Sequence, residues 1–109
     1  MRILVIRFSS IGDIVNTSAV LRCVRAKWPH AHIGFVTKAK FVSLVEHNKS
    51  INTVHKLDSN FGAMAAEIIA LNYTHVIDLH NNLRSKRLTF SLKDVKVKKK
   101  KKWNIRKWL

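Results

Sequence analysis

Residues 1–22 read MRILVIRFSSIGDIVNTSAVLR, and the change of character along them decides the fold. Ile3-Leu4-Val5-Ile6 is an unbroken apolar run, the pattern of a strand buried on both faces. A short loop follows, with Ser9, Ser10 and Gly12, and then Asp13 stands where a helix should begin. Beyond it Ile14, Thr17, Leu21, Val24 and Trp28 fall along one helical stripe, and Pro29 stops the helix.

The same alternation continues along the chain. Residues 32–37 (HIGFVT) predict a second strand, 40–46 a short helix closed by His47-Asn48, and 51–57 a third strand. Phe61, Met64, Ala65, Ile68 and Leu71 give helical spacing over 61–71, and 74–79 (THVIDL) reads as a fourth strand. A further helix is expected over 83–92 and a fifth strand over 95–97. Helix following strand at each step predicts an α/β fold, a Rossmann-like doubly wound parallel sheet with helices on both faces. With the strand order 3-2-1-4-5, the loops after strands 1 and 4 face one crevice at the carboxyl edge, where ligands collect in such sheets.

Length and composition bound the rest. The 109 residues, 47% apolar, are enough for one small domain with a single modest core. The lone cysteine, Cys23, allows no internal disulfide and sits inside the first helical pattern, so it reads as a small buried apolar side chain. No stretch approaches the ~20 apolar residues of a membrane span, and the reading is a cytoplasmic protein. Of the formal charge of +15, residues 1–92 carry 12 Lys/Arg against 5 Asp/Glu, and residues 93–109 carry 9 against 1. Half of the excess therefore lies in the last 17 residues, where Lys98-Lys99-Lys100-Lys101-Lys102 would attract any polyanion without selecting among them.

The first loop does not suit a nucleotide phosphate. A dinucleotide fingerprint needs three glycines and a P-loop needs a Gly-Lys pair, whereas this loop has Gly12 alone, with no lysine after it. Asp13 would also put negative charge where the phosphate should sit. Asp13 has two readings: a helix N-cap that binds free backbone amides, or a carboxylate held at the crevice mouth as a general base. Ser9 and Ser10 offer hydroxyls and amides, and Gly12 would let the chain turn close to a ligand. The second loop carries Asp78, expected to orient it, then His80, Asn81, Asn82 and Arg84.

These residues carry a resemblance. "MRILVIRFSSIGDIVNTSAVLRCVRAKWP", "HIGFVTKAKFVSLVEHNKSINTVHKLD" and "HVIDLHNNLRSKRL", in that order, resemble the N-terminal half of glycosyltransferase family 9, the ADP-heptose:lipopolysaccharide heptosyltransferases. The likeness covers about residues 1–92, and S-S-I-G-D together with D-L-H-N-N-L-R is its most specific part. It implies an inverting, metal-independent transferase of the GT-B type, in which the N-terminal domain holds the acceptor and a C-terminal domain the nucleotide-sugar donor. The family's proposed base falls on Asp13, with Ser9, Ser10, Gly12, His80, Asn81 and Arg84 as substrate contacts; Lys86, Arg7 and Lys38 are weaker candidates.

The implied partners are a lipid-linked Kdo/lipopolysaccharide core acceptor, whose carboxylates and phosphates suit an arginine fork, and ADP-heptose. No cofactor or metal is expected. Residues 1–97 would be the acceptor-side domain and 98–109 a basic tail at the start of a helix; a donor domain does not fit in 109 residues, so an N-terminal half is expected. Two other classes remain open: a basic α/β domain that binds polyanions without catalysis, and peripheral contact with an anionic membrane through Trp103, Trp108 and Leu109 among the lysines. Sequence-specific nucleic-acid binding is not expected, because the tryptophans of the tail do not make a stacking platform.

Overall fold

The computed structural model describes residues 1–8, 11–80, 88 and 96–99. Strand β1 (Arg2–Ile6) leads to helix α1 (Ile11–Lys27) and strand β2 (His32–Lys38). A 3-10 helix (Ala39–Leu44), strand β3 (Thr53–Leu57), helix α2 (Phe61–Ala70), strand β4 (His75–Asp78) and strand β5 (Lys96–Lys99) follow. The strands form one sheet in the order β3-β2-β1-β4-β5, with each neighbouring pair parallel. The doubly wound α/β architecture expected from the sequence is present, and the direction of winding reverses between β1 and β4.

The apolar run of β1 explains why the sheet is covered on both faces. Ile3 and Val5 face one side and join Ile14, Leu21 and Val24 of α1; Leu4 and Ile6 face the other and join Met64, Ala65 and Ile68 of α2. A strand with no polar face is stable only between two layers, and a parallel sheet with helical crossovers provides them. Leu88 adds to the α2 side. Thr17 lies in the buried stripe of α1 and is satisfied there, its hydroxyl donating to the Ile14 carbonyl at 2.5 Å.

Four boundaries differ from the sequence reading, each for a local reason. Helix α1 starts at Ile11, so Asp13 stands within its first turn and is not its N-cap. Residues 39–44 form a 3-10 helix, not an α-helix: Phe41 is their one buried anchor, and the amides of Val45 and Glu46 both close on the Val42 carbonyl. Strand β3 begins at Thr53; before it, Asn52 meets Ile33 twice, its amide donating to the Ile33 carbonyl at 2.7 Å and its Oδ1 accepting from the Ile33 amide at 2.8 Å. Strand β5 runs to Lys99, two residues past the expected domain boundary. Cys23 is only partly buried, since it flanks the stripe of α1 instead of lying in it.

Candidate active site at the carboxyl edge

Parallel pairing delivers the ends of β1 and β4 side by side, with Ile6 in register with Asp78. The Leu79 amide continues the pairing by donating to the Ile6 carbonyl at 3.0 Å. The next residue of the first strand's run, Arg7, therefore emerges between the head of α1 and the chain leaving β4. Its guanidinium uses both sides: Nη2 donates to Asp13 Oδ2 at 2.5 Å and Nη1 to the Leu79 carbonyl at 2.7 Å. The Arg7 side chain is 14% exposed and that of Asp13 47%, so a largely covered cation holds a carboxylate that solvent can reach.

Asp78 is almost fully buried at the end of β4, and its Oδ1 accepts from the His80 amide at 3.0 Å. This turn fixes how the chain leaves the strand, the orienting role expected for it. The His80 ring stacks edge-on against Phe8, with centroids 5.3 Å apart. Phe8 is in turn fixed by its carbonyl, which accepts from the Lys38 amide and the Thr37 hydroxyl, both at 3.2 Å. Further along the same edge, beyond β2 and β3, an open groove of about 260 Å³ is lined by Lys38, Ala39, Lys40, Leu57 and Asp58. The crevice thus has a carboxylate at its centre and two lysines on its flank.

No protein-family model matches the chain, and no curated protein matches it; the likeness is to solved structures. A family 9 glycosyl transferase from Veillonella parvula superposes with a TM-score of 0.78 at 29% identity, over 83% of this chain and 29% of that one. The chain has the N-terminal fold of the family 9 glycosyltransferases. Two E. coli structures share that fold at 22% identity. One is an ADP-heptose lps heptosyltransferase II, matched over 84% of this chain and 28% of that one with a TM-score of 0.72. The other is the heptosyltransferase WaaC with ADP-2-deoxy-2-fluoro heptose, matched over 91% and 35% with a TM-score of 0.75. The chain therefore spans about a third or less of the length of the structures it resembles.

Within this fold Asp13, in the first turn of α1, and His80, just past β4, both lie at the carboxyl edge where β1 and β4 end. Gly12 lies in the first turn of α1 with no positive φ, and a Cβ there would meet nothing within 4 Å. The position offers open space beside Asp13. Ser9, Ser10, Asn81, Arg84 and Lys86 lie outside the described residues. Arg7, a weak candidate in the sequence, proves central, because its partners become visible only once β1 and β4 are neighbours.

On the α2 face of the sheet and at its amino-terminal edge are polar networks that the sequence did not disclose. His55, fully buried on β3, contacts Glu67 Oε1 through Nδ1 at 2.6 Å and the Tyr73 hydroxyl through Nε2 at 2.7 Å. Burial pushes the Tyr73 phenol well above its ordinary value of 10.0, against a smaller opposing effect of Arg2. The hydroxyl thus keeps its proton, and the His55 ring bridges it to the Glu67 carboxylate. His32 is partly exposed, and burial first, then Arg2, His55 and Arg25, hold its pKa below the usual histidine value. Arg25 closes the same edge, its guanidinium donating to the carbonyls of Pro29, Ala31 and Ser50 and to Asn52 Oδ1. Both networks brace the fold and lie away from the crevice. Among the described residues no group of three or more His, Cys, Asp or Glu is placed to hold a metal ion, and no helix is long and apolar enough to cross a membrane.

Proposed function

We propose that the chain is the acceptor-side part of an inverting glycosyltransferase that moves heptose from ADP-heptose to the lipopolysaccharide inner core, with Asp13 as general base. The observation that carries this reading is Asp13 itself: a half-exposed carboxylate, gripped from below by Arg7, at the switch point of a sheet shared with family 9 transferases. An alcohol is a poor nucleophile at neutral pH. A carboxylate in contact with its hydroxyl takes the proton as the oxygen forms its bond to the anomeric carbon. The bond from that carbon to the ADP oxygen breaks on the opposite face, ADP leaves with the electron pair, and the configuration inverts.

In this scheme residues 1–97, with β5 extending to Lys99, form the acceptor side. Donor binding falls to a second domain outside these residues, and no metal is required by the chemistry. Ser9, Ser10, Asn81 and Arg84 would line the acceptor pocket with His80, while Lys38 and Lys40 suit the carboxylates and phosphates of Kdo and lipid A. The high positive charge supports a second reading, adsorption to polyanions or an anionic, cytoplasm-facing membrane without catalysis.

One binding experiment separates the two. Kdo-lipid A micelles and heparin are titrated separately into isotopically labelled chain. The transferase reading expects Kdo-lipid A to shift resonances of residues 7, 13 and 78–80, and heparin to shift mainly the lysine-rich end. Identical patterns for the two ligands, with the crevice untouched, would contradict it.

A further inference from the structure

We propose that Arg7 is the positioning residue of the crevice: one guanidinium sets the Asp13 carboxylate and ties the head of α1 to the chain leaving β4. The inference rests on the reading of Asp13 as the base, and it assigns a residue that acts through Asp13 without touching the reacting atoms.

The geometry is specific to an arginine. The two bonds leave from different nitrogens of one planar group, Nη2 to Asp13 Oδ2 and Nη1 to the Leu79 carbonyl, so fixing one partner fixes the direction of the other. The backbone amide of Arg7 donates to the Val36 carbonyl at 3.1 Å, which anchors the residue to β2 as well. Arg7 is deeply placed, and a guanidinium does not give up its proton at any working pH, so it serves as a fixed charge and not as an acid or base.

Two consequences follow for Asp13. Its Oδ2 is engaged by Arg7, so an acceptor proton must arrive at a lone pair that the guanidinium does not occupy. The adjacent cation also stabilises the ionised form of the carboxylate relative to the neutral one. Among the described residues, the other titratable groups on this edge are Lys38 and Lys40 at and just past the end of β2, Asp58 after β3, and Asp78 and His80 after β4. Arg7 contacts the Asp13 carboxylate directly, through Oδ2. Because the same guanidinium holds Leu79, a change in the strand 4 loop is felt at Asp13, and the converse.

The test uses the 109-residue chain with carbon-13-labelled aspartate and nitrogen-15-labelled backbone, and follows the Asp13 carboxyl signal with pH by NMR. Arg7→Gln should move its titration midpoint upward by about one pH unit or more. Arg7→Lys keeps the charge and should move it less, while shifting the Leu79 and His80 amides as Arg7→Gln does. Should Arg7→Gln not fold, Asp13→Asn gives the reciprocal reading, since release of one guanidinium nitrogen should shift the same two amides. An unchanged Asp13 midpoint in Arg7→Gln, or Leu79 and His80 amides unmoved in Asp13→Asn, overturns the proposal. Neither readout depends on turnover: if Asp13 is not the base, the coupling still stands, and if the coupling fails, Asp13 can still be the base.

Discussion

Gly34→Ala should destabilise the fold by about 2–3 kcal/mol, although it adds one methyl group to a strand that favours side chains. Gly34 lies in β2, between β3 and β1, and faces the α2 side together with Val36. A Cβ built there overlaps the Tyr73 hydroxyl and lies 2.6 Å from Cζ and 2.9 Å from Cε1 of the same ring. Tyr73 has little room to retreat, since it is 4% exposed and its hydroxyl is bonded to fully buried His55.

The overpacking is worth about 1–3 kcal/mol. Disturbing the Tyr73–His55 bond adds roughly 1 kcal/mol, and the smaller conformational freedom of alanine in the unfolded chain returns about 0.4–1 kcal/mol. Urea denaturation at constant m measures the sum. Adding Tyr73→Phe to Gly34→Ala removes the nearest atom but leaves Cζ and Cε1, so the pair should recover only part of the loss. A shift of less than about 0.5 kcal/mol for Gly34→Ala would refute the packing argument, since that is the scatter of ordinary surface changes.

Other expectations follow from single contacts. Tyr73 is the only tyrosine, so its ionisation can be followed by ultraviolet absorbance against the tryptophan background; it should begin well above pH 10 in the folded chain and fall to about 10 in urea. Because the folded-state value is the higher one, stability should be full below pH 10 and decline above it, and Tyr73→Phe should remove that decline as measured by urea midpoints. Arg25→Ala, which takes this donor from the Pro29, Ala31 and Ser50 carbonyls and leaves Asn52 Oδ1 with the Ile33 amide, should cost about 2–3 kcal/mol, with Arg25→Lys recovering only part of it. Asn60 caps α2 by accepting from the Ala63 amide at 2.9 Å, so Asn60→Ala should cost about 1 kcal/mol and Asn60→Asp much less, both read by thermal unfolding.

What the sequence disclosed and what it hid divide along physical lines. The apolar run 3–6, the stripe from Ile14 to Val24 and the punctuation by Pro29 are local signals, and they were enough for the element order and the strand arrangement. Asp13 is an excellent cap residue, so the sequence puts the start of α1 there, two residues late. In the structure its carboxylate accepts from Arg7, a contact that requires the chain to double back from β1. Asn52, a polar residue at the start of a strand, adds a side-chain acceptor for the Ile33 amide to its own backbone bond to the Ile33 carbonyl, and it helps to hold Arg25. His55 looked out of place until its partners, 12 and 18 residues away, closed around it. Polar residues inside an apolar pattern marked the places where distant segments meet, and periodicity alone could not name the partner. The crevice itself was legible because a parallel sheet always gathers its strand ends on one edge.

Heptose transfer tests the central claim most directly. A chimaera carrying residues 1–99 of this chain in place of the corresponding part of an E. coli heptosyltransferase is assayed with ADP-heptose and Kdo-lipid A. The account predicts transfer with inversion, and a fall of about 100-fold or more on Asp13→Asn with the fold intact. Transfer at an undiminished rate in the Asp13→Asn chimaera would contradict it.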